Sequence, residues 1–313
     1  MIRKVLFEIP SIYRDDLRVT GYYFGNPDKK TACVVGSTRG NENQQLYVCS
    51  QLIKALDKMQ NKGKISQDVG ILVVPTLNTY SLNTKKRFWG IDNTDINRMF
   101  PGYSQGETTQ RIAGAVFENI NDYKYGMQFA SFYMQGNFMP HVRVMSIDEH
   151  SDVKALTLAK DFGLPYIVDH DPRPFDTATL NYNWQVWGTK AFSIYTTDTE
   201  KVDKESATKS VQAILNFLAK HEIIDCKIRD FHESKVVTNH ELVTIRAKQS
   251  GFLDSFVKVG DKVQKGQVLA DIIHSFEGYK IGELVSTVDG TIFFAQNESK
   301  LYSNTAVYKI DAN

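Results

Sequence analysis

The sequence predicts an α/β protein with a mixed sheet flanked by helices, followed by a small all-β domain. Two observations carry this. Between residues 1 and about 230, short β-branched runs alternate with helix-like stretches, which is the signature of a layered domain with a mostly parallel sheet. From about residue 231 no helical period returns, and short alternating strands are broken by Gly-Asp, Lys-Gly and Asp-Gly turns. The expected domains are therefore 1–230 and 231–313.

The elements follow in order. ACVVGS (32–37) and ILVVPTLN (71–78) read as buried strands that end in small or polar residues. In such sheets ligands bind beyond the carboxyl ends of the strands, so these two ends frame the first place to look for a site. Residues 41–59 carry Leu46, Leu52, Ile53 and Leu56 near helical spacing and predict a crossover helix. Residues 107–120 and 204–224 read the same way. In the tail, strands are expected within 241–273, 283–296 and 305–310.

Bulk properties narrow the function. With 313 residues the chain can bury a large core without a metal or disulfide. Lysine plus arginine (37) nearly cancel aspartate plus glutamate (36), which gives no electrostatic reason to expect a nucleic-acid or anionic-membrane partner. A small molecule or a protein is the expected partner, and a homo-oligomer stays open. Cys33, Cys49 and Cys226 show no CxxC spacing, so neither a disulfide framework nor a thiolate zinc site is suggested; Cys33, in an apolar run, reads as core. No secretory leader or long apolar span stands out, and a reducing, cytoplasmic setting is expected.

The most specific local signal is DNTDINRMFPG (92–102), preceded by PTLNTYSLNTKKRF (75–88) and by the strand-to-helix segment GSTRGNENQ (36–44). Asn97 and Arg98 make chemical sense as a pair, because a guanidinium offers a rigid fork to a carboxylate and the amide adds a donor. Arg87 would add a second cation. Taken alone, NRMFPG reads equally well as a structural turn whose arginine caps a helix, with Asp92 and Asp95 tying the cations up.

Together with the tail, these segments resemble the succinylglutamate desuccinylase/aspartoacylase family, in the same order over nearly the whole chain. The resemblance implies a zinc-carboxypeptidase-like fold and a deacylase ancestry. It also implies that Arg87, Asn97 and Arg98 hold a substrate carboxylate. The tail phrase GFLDSFVKVGDKVQKGQVLADI further resembles biotinyl and lipoyl carrier domains, with Lys280 as the one candidate carrier lysine; it lacks the biotin signature's flanking methionines, so a structural lid or packing role is favoured.

What hydrolysis needs in that family is a zinc held by two histidines and a glutamate, with one position open for water. At the matching positions stand Arg39, Glu42 and Ala130. Arginine has no lone pair to give a metal, alanine offers no donor, and no histidine precedes His141. The family's general-base glutamate falls on Tyr195 in AFSIYTTDT (191–199), and a phenol is a poor proton acceptor at neutral pH. The expected reading is a family member that binds a small, N-acyl-amino-acid-like carboxylate but has lost zinc-dependent hydrolysis, with no metal or other cofactor expected. The alternative is an active zinc amidohydrolase with a rearranged metal site.

Two histidines lie among acids, in Asp148-Glu149-His150-Ser151-Asp152 and in Asp169-His170-Asp171; solvated loop charge is the favoured reading of both. His141 matches a family stretch that shapes the pocket wall. Arg39 is expected to pair with Glu42 where zinc would otherwise sit, with a solvent-facing side chain as the rival.

Overall fold

A computed structural model describes residues 1–13, 15–132, 136–147 and 149–312, with the side chains of 149–153 outside that description. The strands are β1 (Ile2–Ile9), β2 (Leu17–Gly25), β3 (Ala32–Ser37), β4 (Gly70–Thr76), β5 (Tyr125–Ala130), β6 (Asn137–Phe138), β7 (His141–Met145), β8 (Tyr166–His170), β9 (Lys190–Tyr195) and β10 (Lys235–Thr238). The tail adds β11 (Leu242–Arg246), β12 (Gly251–Ser255), β13 (Lys262–Val263), β14 (Val268–Ile273), β15 (Lys280–Val285), β16 (Gly290–Ala295), β17 (Lys300–Leu301) and β18 (Ala306–Ala312). The helices are α1 (Asn43–Gln60), α2 (Thr79–Thr84), α3 (Thr108–Ile120), α4 (Glu149–Ala159), α5 (Leu180–Val186) and α6 (Lys204–Lys220).

Nine strands form one mixed sheet in the order β1-β2-β4-β3-β5-β9-β7-β8-β10. Its centre, β4-β3-β5-β9, is parallel, whereas β1, β2 and the β9-β7 contact are antiparallel. The central strands are apolar on both faces because helices cover both: Val34 and Val73 sit in the cluster with α1 and α6, and Cys33 and Val35 in the cluster with α3 and α5. Cys33 is thus a core residue, as its apolar run suggests.

The helix ends follow their caps. Asn78 accepts the Ser81 amide at α2, and Asp203 accepts the amides of Glu205 and Ser206 at α6. On α1 the buried face is Gln44, Gln45, Val48, Cys49, Leu52 and Leu56; Leu46 and Ile53 are only half-buried. The helix points two glutamines into the protein: Gln44 holds another segment, bonding the backbone of Asp203 through both side-chain atoms, whereas the side-chain amide of Gln45 is buried without a hydrogen-bond partner among the described residues.

The tail is all-β. A five-stranded sheet (β11-β18-β16-β13, with β6 on β16) faces a four-stranded one (β15-β14-β12-β17) across an apolar core that includes Val263, Leu269, Ile272, Ile292 and Val307. The layered part reaches past residue 230, since β10 pairs in parallel with β8, and β6 of the layered part in turn joins the tail sheet. Phe138, Tyr166, Phe293 and Phe294 share one cluster that cements the two parts. Asp311 of β18 adds polar links, accepting from Tyr166 Oη at 3.0 Å and pairing with Lys235 at 2.9 Å. Lys280 lies on β15, paired with Asp271 (2.7 Å) and Glu283 (3.0 Å) rather than displayed on a turn. No helix among the described residues is long and apolar enough to cross a membrane.

Candidate functional site

The loop from β3 into α1 carries Arg39 and Glu42. Gly40 lets it lie against the 81–86 segment: a Cβ there would stand 2.1 Å from the Ser81 carbonyl oxygen and 2.4 Å from that of Lys86. Held this way, Arg39 (2 % exposed) and Glu42 (0 %) face each other inside the protein. Arg39 Nη1 donates to Glu42 Oε1 at 3.0 Å, and Nε and Nη2 both meet Asp95 Oδ2 at 2.9 Å. Glu42 Oε2 accepts the amides of Thr38 (2.7 Å) and Arg39 (3.0 Å), and Oε1 also accepts from Ser131 Oγ at 2.5 Å. Burial acts against the Arg39 charge, but Glu42 and Asp95 outweigh it and push the guanidinium pKa up. The solvent-facing rival for Arg39 is therefore excluded.

For a divalent metal this donor set does not fit. Both Glu42 oxygens are committed to donors, the neighbouring side chain is a cation without a lone pair, and Ala130 contributes only a methyl group. Among the described residues no group of three or more His, Cys, Asp or Glu side chains could hold a metal ion.

The expected carboxylate binders converge beside this pair. Arg87, Asn97 and Arg98 line one cavity of about 280 Å³ together with Arg39, Ala130 and Tyr195. Asp95 does tie up one arginine: its Oδ2 lies 3.3 Å from Arg87 Nη2. Asp92 does not, bonding Thr94 and Thr109 instead. Arg98 has no ion pair among the described residues; its Nη1 donates to the Asn97 carbonyl at 3.0 Å and its guanidinium stands 5.9 Å from the Phe175 ring. Asn97 Oδ1 accepts the Leu180 amide at 3.1 Å, which orients the side chain and turns Nδ2 the other way. The pKa values of Arg87 and Arg98 are both lowered, first by burial and then by Arg39, as expected of cations with too few anions around them.

Tyr195 ends β9 in register with Ala130 on one side and His141 on the other. Its ring stacks on His141 at 4.5 Å, with the Arg143 guanidinium 5.3 Å from the ring centre. His141 is buried, bonded through Nδ1 to the Met139 carbonyl at 2.8 Å, and supports Tyr195 from behind. His170 departs from the solvated reading. It is buried at the end of β8, with Nε2 2.9 Å from Asp176 Oδ2 and Nδ1 2.8 Å from Asn239 Nδ2, and it lines the cavity. Alternation on β8 turns it inward while Asp169 leaves toward Ser146. Of the 148–152 cluster, Asp148 and the side chains of the rest lie outside the described residues.

Sequence reasoning missed several cavity residues: Ser131, Arg143, Arg173 and Lys309. Only Ser131, beside Ala130, carried a local signal.

A nine-stranded mixed sheet with its polar cavity beyond the carboxyl ends of β3, β5 and β9, and a β tail folded alongside, defines an α/β scaffold with a ligand-type cavity at its strand ends. The succinylglutamate desuccinylase/aspartoacylase catalytic-domain profile matches residues 28–221, and the chain belongs to that family of deacylases. The N-alpha-acetyl-L-2,4-diaminobutyric acid deacetylase of Halomonas elongata is 23 % identical over 252 residues, which cover 77 % of this chain and 70 % of that protein. Among solved structures, the product-bound ectoine utilization protein EutE (DoeB) of Ruegeria pomeroyi superposes with a TM-score of 0.83 at 17 % identity, over 98 % of this chain and 94 % of its own. A succinylglutamate desuccinylase/aspartoacylase from Rhodobacter sphaeroides gives a TM-score of 0.80 at 18 % identity, covering 99 % and 96 %.

Proposed function

We propose that this chain binds a small carboxylate in the cavity beside Arg98 and does not hydrolyse it, serving as a sensor, store or assembly partner on a deacylase scaffold. The observation that carries this reading is the Arg39 guanidinium, bonded at once to Glu42 and Asp95. A cation there satisfies the one surviving acid of the expected ligand set and leaves no oxygen for a metal. Arg98, without an acid of its own, is the anion's anchor, and Asn97 Nδ2 is the added donor. Zinc is accordingly not a resident cofactor in this proposal, which emission spectrometry on the purified protein would overturn by finding it near-equimolar and lost on chelation.

Short carboxylates and N-acyl amino acids should bind with millimolar to micromolar affinity, about 4 to 8 kcal/mol. Arg98→Ala should weaken binding by about 1.5 to 3 kcal/mol, the scale of a charge-assisted hydrogen bond, with the fold intact. Titration calorimetry on a ligand panel checks both, and the reading fails if no carboxylate binds below about 10 mM, a free energy of under ~3 kcal/mol.

Tyr195→Glu alone should produce no turnover of N-acyl amino acids, since a general base has nothing to activate without an electrophile, and groups that act as a unit are not additive. Turnover from that single change would refute the loss of hydrolysis. Arg39→His, Ala130→His and Tyr195→Glu combined is the variant in which activity is to be sought.

A further inference from the structure

The cations around the cavity fall into two groups. In the first, Arg39 and Arg87 share Asp95, Arg39 also pairs with Glu42, and Arg98 stands beside them without an ion pair among the described residues. Arg143, Arg173, Arg246 and Lys309 form the second group, drawn from β7, the segment after β8, and the tail strands β11 and β18. None of these four makes an ion pair among the described residues. The acid beside them, Asp176, is already engaged by His170 Nε2 and by the Arg173 amide at 3.0 Å. The Lys309 pKa is lowered, first by burial and then by Arg173, Arg246 and Arg143, so three like charges face a half-buried ammonium.

Uncommitted donors meet at the same place. Gln128 is 1 % exposed, lines the cavity, and its Nε2 has no hydrogen-bond partner among the described residues; Arg143 Nε is also buried without one. The sheet register puts them in one row, Gln128 opposite Ser193 and Ser193 opposite Arg143. Ser193 Oγ already accepts from Asn181 Nδ2 at 3.0 Å, which leaves its own proton to give. Buried donors without acceptors are costly, and here two stand beside surplus positive charge, so the missing component is an anion with several lone pairs.

We propose that this row, closed by Lys309 of the tail, is a second anion subsite, and that the ligand is a small molecule carrying a phosphoryl-type dianion as well as the carboxylate held by Arg98. A second carboxylate brings one charge and two oxygens. A phosphoryl group brings up to two charges and three terminal oxygens, enough to accept from Gln128, Arg143 and Lys309 together, and a guanidinium pairs with it in the same forked manner. The inference rests on the carboxylate reading for its first subsite alone.

Calorimetry on the full chain with propionate, succinate and 3-phosphonopropionate tests it. The phosphonate should bind at least about ten-fold more tightly than succinate, and succinate more tightly than propionate. Arg143→Met should bring the phosphonate close to propionate while leaving propionate itself within about two-fold. Should that variant fail to fold, Gln128→Leu and Lys309→Met are read the same way. No gain of phosphonate over succinate, or a gain that survives these substitutions, overturns the second subsite. If propionate binds through Arg98 and the phosphonate adds nothing, the second subsite falls and the carboxylate reading stands. If inorganic phosphate binds and weakens in Arg143→Met while no carboxylate binds, the reverse holds.

Discussion

Arg39→Met is expected to lower the stability of the protein by about 3 to 5 kcal/mol, the scale of removing one partner from a buried ion pair. Glu42 is fully buried and Asp95 nearly so, and the substitution takes a cation from both. Asp95 keeps Arg87, whereas Glu42 keeps only neutral donors: the amides of Thr38 and Arg39 and the hydroxyls of Thr38 and Ser131. Most of the loss should therefore trace to Glu42. Glu42→Gln on the Arg39→Met background removes the orphaned charge yet leaves an amide oxygen for those donors, and the double variant should recover stability relative to Arg39→Met alone. Denaturant unfolding of the three variants gives the comparison, and a double variant no more stable than Arg39→Met would show that the network does not act through the charge on Glu42. The Asp95 contribution also has a sign in pH. Burial would raise its pKa, but Arg39 and Arg87 lower it below the ordinary carboxylate value, so its stabilisation holds above about pH 4 and is lost as the pH falls through the depressed folded value.

How far the sequence reaches is clear from these same residues. The strand over 32–37 and the helices over 107–120 and 204–224 are legible because apolar runs and caps are local, and the observed elements Ala32–Ser37, Thr108–Ile120 and Lys204–Lys220 follow them closely. The pairing of Arg39 with Glu42 is legible too, since one turn of loop links them. The role of Asp95 as a shared acceptor is only half legible: the sequence offers it as a neighbour of Arg87 and Arg98, but nothing local says that it bridges Arg39 and Arg87 and leaves Arg98 open. His170 was beyond reach, because its burial depends on Asp176 and Asn239 arriving from loops with no marked pattern. Lys309 and Arg143 reach the cavity through sheet order and through the packing of the tail against β7 and β8, which are long-range contacts that no spacing encodes.

Acid should destabilise the protein well above the carboxylate range, because His141 is buried neutral. Its ring is held by the Met139 carbonyl and stacks on Tyr195 within a cage that includes Phe138 and Phe293. Burial pushes its pKa down to about 3, the Met139 bond opposes this, and the nearby cations Arg143 and Lys309 add to it. The unfolded chain takes up the proton near pH 6.5, whereas the folded protein does not until about pH 3, so stability is full above about pH 6.5 and declines as the pH falls between those values. Each pH unit in that window costs about 1.4 kcal/mol, or about 2 kcal/mol between pH 7 and pH 5. His141→Phe keeps the ring in its stack and removes the titration, leaving only a pH-independent loss from the unpaired Met139 carbonyl. Urea midpoints measured from pH 7.5 to pH 4.5 should therefore fall steeply for the native sequence and with a slope lower by about one proton for the variant. Equal slopes would mean that His141 is protonated in the folded state, and that the Tyr195 stack tolerates a charge beside Arg143.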